Sequence, residues 1–111
     1  MRTSTLLCPH DLVERDVAKA REEQFGAAWF PKYHRCSIDT DDAFVAVDVD
    51  QEFTARLRPE QQQTLLTQLG FVPRTALHVQ SSAYHAGSPR LAEDVFQMLC
   101  TLFDGRALPV A

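Results

Sequence analysis

An α+β domain, with a small mostly antiparallel sheet and helices packed on one face, is the fold that this sequence predicts. Three observations carry the prediction. Val45, Val47 and Val49 alternate with Ala46, Asp48 and Asp50, the two-residue period of a half-buried strand. Leu91, Val95, Met98, Leu99, Leu102 and Phe103 recur at the spacing of one helix face. Strand-like and helix-like segments are mixed along the chain in the order αββαβα, with room for a short last strand. At 111 residues the chain has the length of one domain, 1–111, because a second core would need about 50 residues of its own.

Taken in order, Asp11 followed by Glu14 has the spacing of a capping box, and Leu12, Val13, Val17 and Ala20 then recur at helical intervals up to Phe25-Gly26. A first helix is therefore expected over 11–25. Ala27 to Lys32, with Trp29, Phe30 and Pro31, suits a packed connection. Residues 33–38 and 43–50 read as a hairpin, with Asp39-Thr40-Asp41-Asp42 supplying the turn chemistry, one face apolar and the other acidic. Pro59 fits the first position of a second helix, where its missing N–H costs nothing. Leu65, Leu66 and Leu69 give that helix a narrow apolar stripe, and Gly70 can take the left-handed cap conformation, with Phe71 folding back onto the last turn. Thr75 to Ser81 is expected as a strand, with Leu77 and Val79 on one side and His78 on the other. Ser88-Pro89 then caps a third helix whose outer face is Arg90, Asp94, Gln97 and Thr101. Ala107 to Val110 is the candidate last strand.

Composition narrows the class. With 45% hydrophobic and 23% charged residues the chain supports a folded core. Its longest apolar runs are far short of the roughly 18 to 20 residues that span a bilayer. Two leucines between Arg2 and Pro9 are too few for a secretory leader, and Leu7 before Cys8 departs from the small residue of a lipoprotein cleavage site. Three cysteines, Cys8, Cys36 and Cys100, without paired spacing, suit a reducing cytoplasm. A net charge of −4 disfavours non-specific nucleic-acid binding, which depends on Lys and Arg releasing counterions, and favours a basic partner.

The most distinctive local feature is a block of acid. Asp39, Asp41, Asp42, Asp48, Asp50 and Glu52 occur with no Lys or Arg between Arg35 and Arg56. Such a block creates a negative field able to steer and orient a basic partner; it also fits a solvated hairpin tip and sheet face. Asp39 to Ala43 lacks the glycine and terminal glutamate of a calcium loop. Cys8-Pro9-His10 and His34-Arg35-Cys36 offer ligand types that zinc accepts, the basis of a third reading as a zinc-binding adaptor, but one residue separates each pair where zinc sites use two to four, so no metal is expected. Ser81, Ser82, Tyr84, His85 and Ser88 precede a helix N-terminus where an anion or a developing charge is stabilised, the basis of an alternative reading as a small enzyme or anion-binding domain. No nucleophile elbow or phosphate loop accompanies them. Trp29 and Tyr84 are candidate interface anchors, as aromatics that local geometry can leave outside the core.

Three further stretches carry a resemblance: Pro59-Glu60-Gln61 through Leu69-Gly70-Phe71-Val72-Pro73, then Tyr84-His85-Ala86-Gly87-Ser88-Pro89-Arg90-Leu91-Ala92-Glu93, and Phe103-Asp104-Gly105. Over about residues 44 to 108 the chain resembles small bacterial immunity proteins encoded beside polymorphic toxins of contact-dependent or type VI secretion systems. The resemblance implies a cytoplasmic, non-enzymatic inhibitor, free of cofactors, that binds one cognate toxin and blocks its active site. A toxin acting on nucleic acid or nucleotides suits the acidic block, since its own site must attract phosphates. The family carries no catalytic residues to transfer, and its toxin-facing surfaces differ between members.

Overall fold

The computed structural model describes residues 2–25, 35–39 and 41–109, without the side chains of 21–25, 35 and 39. The elements in chain order are β1 (Arg2–Cys8), α1 (Glu14–Phe25), β2 (Arg35–Asp39), β3 (Phe44–Asp50), a 3-10 turn (Thr54–Arg56), α2 (Pro59–Leu69), β4 (Thr75–Ser81), α3 (Ser88–Phe103) and β5 (Arg106–Ala107). The fold is α+β, a five-stranded antiparallel sheet in the order β2-β3-β4-β1-β5 with helices on it. Strand β1, which the periodicity does not announce, lies between β4 and β5 and pairs with β4 along its whole length, from Arg2↔Ser81 to Cys8↔Thr75.

The register sorts side chains onto two faces. Leu6 and Cys8, Leu77 and Val79, Val45, Val47 and Val49, and Cys36 and Ile38 share the first, where Leu12 and Val17 from around α1 and Val95 and Leu99 of α3 close the main core. Leu7 and Ala76 point the other way and meet Leu65 and Leu69 of α2, rimmed by Phe53, Leu57 and Phe71. The expectation of helices on one face is thus corrected for α2. Its stripe is narrow and short, so it covers one end of the second face. Beyond it that face continues through Thr5, His78, Gln80, Asp48 and Asp50, which are half-buried.

Local chemistry sets the element ends. Helix α1 starts at Glu14, where Asp16 Oδ2 accepts the Val13 N–H at 2.9 Å, while Asp11, expected as the cap, pairs with Arg74 at 3.1 Å. Pro59 begins α2, and Gly70 ends it at φ +82° with its N–H on the Leu66 carbonyl. The Ser88 hydroxyl does not close the first turn of α3. It accepts the Phe44 N–H at 2.9 Å and ties the helix to β3. Leu91, Val95, Met98, Leu99 and Phe103 turn toward the core as expected, but Leu102 is exposed. No helix among the described residues is long and apolar enough to cross a membrane.

Candidate functional site

The acidic block does not form one surface. Asp41 and Asp42 sit exposed in the turn between β2 and β3. That turn is laced to the loop between β4 and α3: the Gly87 N–H donates to the Asp42 carbonyl at 2.9 Å, the Ser82 N–H to the Phe44 carbonyl at 3.1 Å, and the Phe44 N–H to Ser88 Oγ. Within the loop, Ser82 Oγ accepts the Tyr84 N–H at 3.1 Å and lies 3.1 Å from His85 Nδ1, and the Ser88 N–H returns to the His85 carbonyl. Tyr84 stands out from this support with 96% of its surface exposed. Two predicted sites about forty residues apart in sequence are therefore tied together at one end of the molecule: a turn with two exposed carboxylates and a loop with an unburied aromatic ring. His85, the base of the alternative reading, is turned toward Ser82, and among the described residues no carboxylate orients it.

Asp48 and Asp50 project from the second face of β3, six strand positions from Phe44 to Asp50, or about 20 Å. Asp48 Oδ2 accepts from Gln80 Nε2 at 2.7 Å. Asp50 anchors a chain of contacts. Arg56 grips both of its oxygens, the Glu52 N–H donates to Oδ1 at 3.1 Å, and His78 Nε2 lies 3.0 Å from Oδ2. On the far side of the ring, His78 Nδ1 is 2.8 Å from Thr5 Oγ1. Burial works to raise the Asp50 carboxyl, but the hydrogen bonds from Arg56, His78 and the Glu52 N–H outweigh it and hold the group below its ordinary value. An ionised carboxylate can only accept, so His78 Nε2 carries the proton and, in the neutral ring, Nδ1 accepts the Thr5 hydroxyl hydrogen. Phe53 packs edge-on to the imidazole with ring centres 6.5 Å apart. Glu52 itself is exposed at the end of β3.

The remaining predicted residues are placed as follows. The backbone of Asp39 pairs with Phe44 at the end of β2, and Trp29 and His34 lie outside the described residues. The register sets Cys36 level with Val47, Val79 and Ser4, whereas Cys8 lies four residues further along β1 and three strands away, about 14 Å in the pairing direction alone. Cys8 and Cys36 therefore cannot ligate one ion. His10 Nε2 instead meets Asp104 Oδ2 at 3.0 Å on the surface.

Compared with protein-family models, curated proteins and solved structures, the chain matches none. The residues that sequence reasoning missed are Thr5, Arg56, His78 and Gln80. For Thr5, His78 and Gln80 the one signal was polar chemistry inside strand segments, which gains meaning only once β1 is set beside β4; Arg56, in the 3-10 turn, gave none.

Proposed function

We propose that this chain is an immunity-type protein that binds and neutralises a cognate antibacterial toxin by covering its active site. The observation that supports the reading best is the end of the molecule where the loop of the exposed Tyr84 is bonded to the turn of Asp41 and Asp42. Exposed aromatic rings on a braced loop make strong binding anchors because little freedom is lost when they are buried, and flanking carboxylates orient a basic partner. The partner of this chemistry is a protein whose catalytic cleft is basic, such as an enzyme acting on nucleic acid or nucleotides. The acidic composition and the resemblance of residues 44 to 108 to immunity proteins support the same reading.

The test is direct. The product of the gene adjacent to this one is expected to carry a toxic domain with a basic surface, to form a stable complex with the purified chain, and to lose its toxicity when the two are co-expressed. A neighbouring product that is harmless and does not bind would remove the basis of the proposal.

A further inference from the structure

The second face of the sheet holds an arrangement that partner binding at the tip does not use. A hydroxyl, an imidazole and a carboxylate stand in line: Thr5 Oγ1 at 2.8 Å from His78 Nδ1, and His78 Nε2 at 3.0 Å from Asp50 Oδ2. Both separations fall in the range of about 2.6 to 3.2 Å that a nucleophile, its base and the orienting group require. The three come from β1, β4 and β3, and so from rigid neighbouring strands. Asp50 is fixed by Arg56, which holds both of its oxygens, and by the Glu52 N–H; its Oδ2 is shared between Arg56 and the ring, and Phe53 supports the ring edge.

A groove of about 340 Å³ lies near this line; Phe53, Leu57, Leu65, Leu108 and Pro109 give it an apolar lining, and α2 adds polar side chains, Glu60 among them. That volume is in the range of small-molecule sites, about 300 to 1,000 Å³. Thr5, His78 and Asp50 do not line the groove, but two residues that line it reach them. Phe53 touches His78, and the Leu108 N–H donates to the Thr5 carbonyl at 2.9 Å. The geometry points to a hydrolytic centre for small carboxylic esters with an apolar acyl chain, with Thr5 as nucleophile, His78 as general base and Asp50 as the group that orients it.

In the first half-reaction Thr5 Oγ1 bonds to the ester carbonyl carbon and its proton passes to His78 Nδ1. The carbon–alkoxy bond then breaks, and the alcohol leaves with the proton from Nδ1. In the second, water adds to the acyl-threonine, gives a proton to Nδ1, and the acid departs as Thr5 recovers that proton. The imidazolium formed in each half donates Nε2–H to Asp50, which stays ionised throughout. The apolar part of the groove, at Phe53, Leu57 and Leu65, receives the acyl chain.

The experiment uses the full chain and p-nitrophenyl butyrate. Thr5→Val keeps the shape of the side chain and removes the hydroxyl; it is expected to lower hydrolysis about a hundredfold or more, as is His78→Gln, while Thr5→Ser retains turnover. Asp50→Asn is expected to reduce kcat about tenfold or more with a smaller change in KM, since it acts through His78. Peptide mapping after brief exposure to the ester should place the butyryl group on Thr5. The Thr5→Val and Thr5→Ser pair decides the matter even if the His78 variant does not fold. Hydrolysis equal in wild type and Thr5→Val, or a butyryl group found only on lysines, overturns the proposal. Because the groove and the tip are at different places on the fold, failure of this activity leaves toxin binding untouched, and the reverse holds.

Discussion

Cys8 shows how far one side chain's chemistry follows from its place in the fold. It has no exposed surface and lies at the inner end of β1, where the position of a Gly105 Cβ would be 3.2 Å from its sulfur. Burial, and after it the nearby Cys100 and Asp104, pushes the thiol from 9.0 up to about 12. The unfolded chain releases this proton near the ordinary value, so between pH 9 and about 12 the folded state binds more protons than the unfolded state. Stability is then lost as pH rises through that window, and is fully present below it. Denaturant midpoints measured from pH 8 to pH 11 are expected to fall more steeply for the wild type than for Cys8→Ala, which lacks the thiol. Equal slopes would mean that the sulfur is not shielded in the folded chain. The same burial predicts that iodoacetamide labels Cys8 slowly until denaturant is added.

At the scale of elements, β1 explains both what was legible in the sequence and what was not. Amphipathic segments announced themselves. The valine alternation of β3, the Pro59-to-Gly70 frame of α2 and the stripe of α3 each match the observed spans closely. Strand β1 has no such alternation because its buried end, Leu6-Leu7-Cys8, is covered on both faces, by α3 on one and α2 on the other. Its outer half, Arg2-Thr3-Ser4, extends beyond that cover and is polar. A strand with two buried faces and a solvated end has no two-residue period to read. The site was legible in the same uneven way. Asp41, Asp42 and Tyr84 are visible in the sequence as charge and as an aromatic in a loop, but their meeting depends on the non-local bond from Gly87 to Asp42. The Thr5, His78 and Asp50 line depends on the register of β1, so missing the strand also hid the line. Helix α3 offers the clearest test of packing. Leu99 is completely buried between the sheet and the helix's own neighbours. Leu99→Ala is expected to destabilise the fold by about 2 to 5 kcal/mol, as the lost transfer energy and the residual cavity add together. Urea unfolding measures this, and a change under about 0.5 kcal/mol would place the side chain outside the core.

For the molecule as a whole, the question is which part of a net charge of −4 a partner would feel first. The tip carboxylates Asp41 and Asp42 are about 20 Å from Asp50 along β3, well over the screening length of about 8 Å at physiological salt, so the two groups act as separate fields. Asp48 and Asp50 are also engaged at short range, by Gln80 and by Arg56 and His78, which reduces what they project into solvent. The proposed interface therefore predicts a division of kinetic labour. Replacing Asp41 and Asp42 by Asn should slow association with the toxin severalfold at low salt and flatten its salt dependence, because rim charges act on encounter. Asp48→Asn should leave the association rate unchanged. Tyr84→Ala should act on dissociation instead, weakening the complex by about 2 kcal/mol or more if the ring is the buried anchor. Thermal melts of the tip variants should match the wild type, since exposed carboxylates contribute little to stability and an almost fully exposed ring packs against little. Surface-plasmon measurements at two salt concentrations separate the rates. If Asp48→Asn slowed association as much as the paired tip variant, the docking field would belong to the second face of the sheet, and the Tyr84 end would lose its place in the interface.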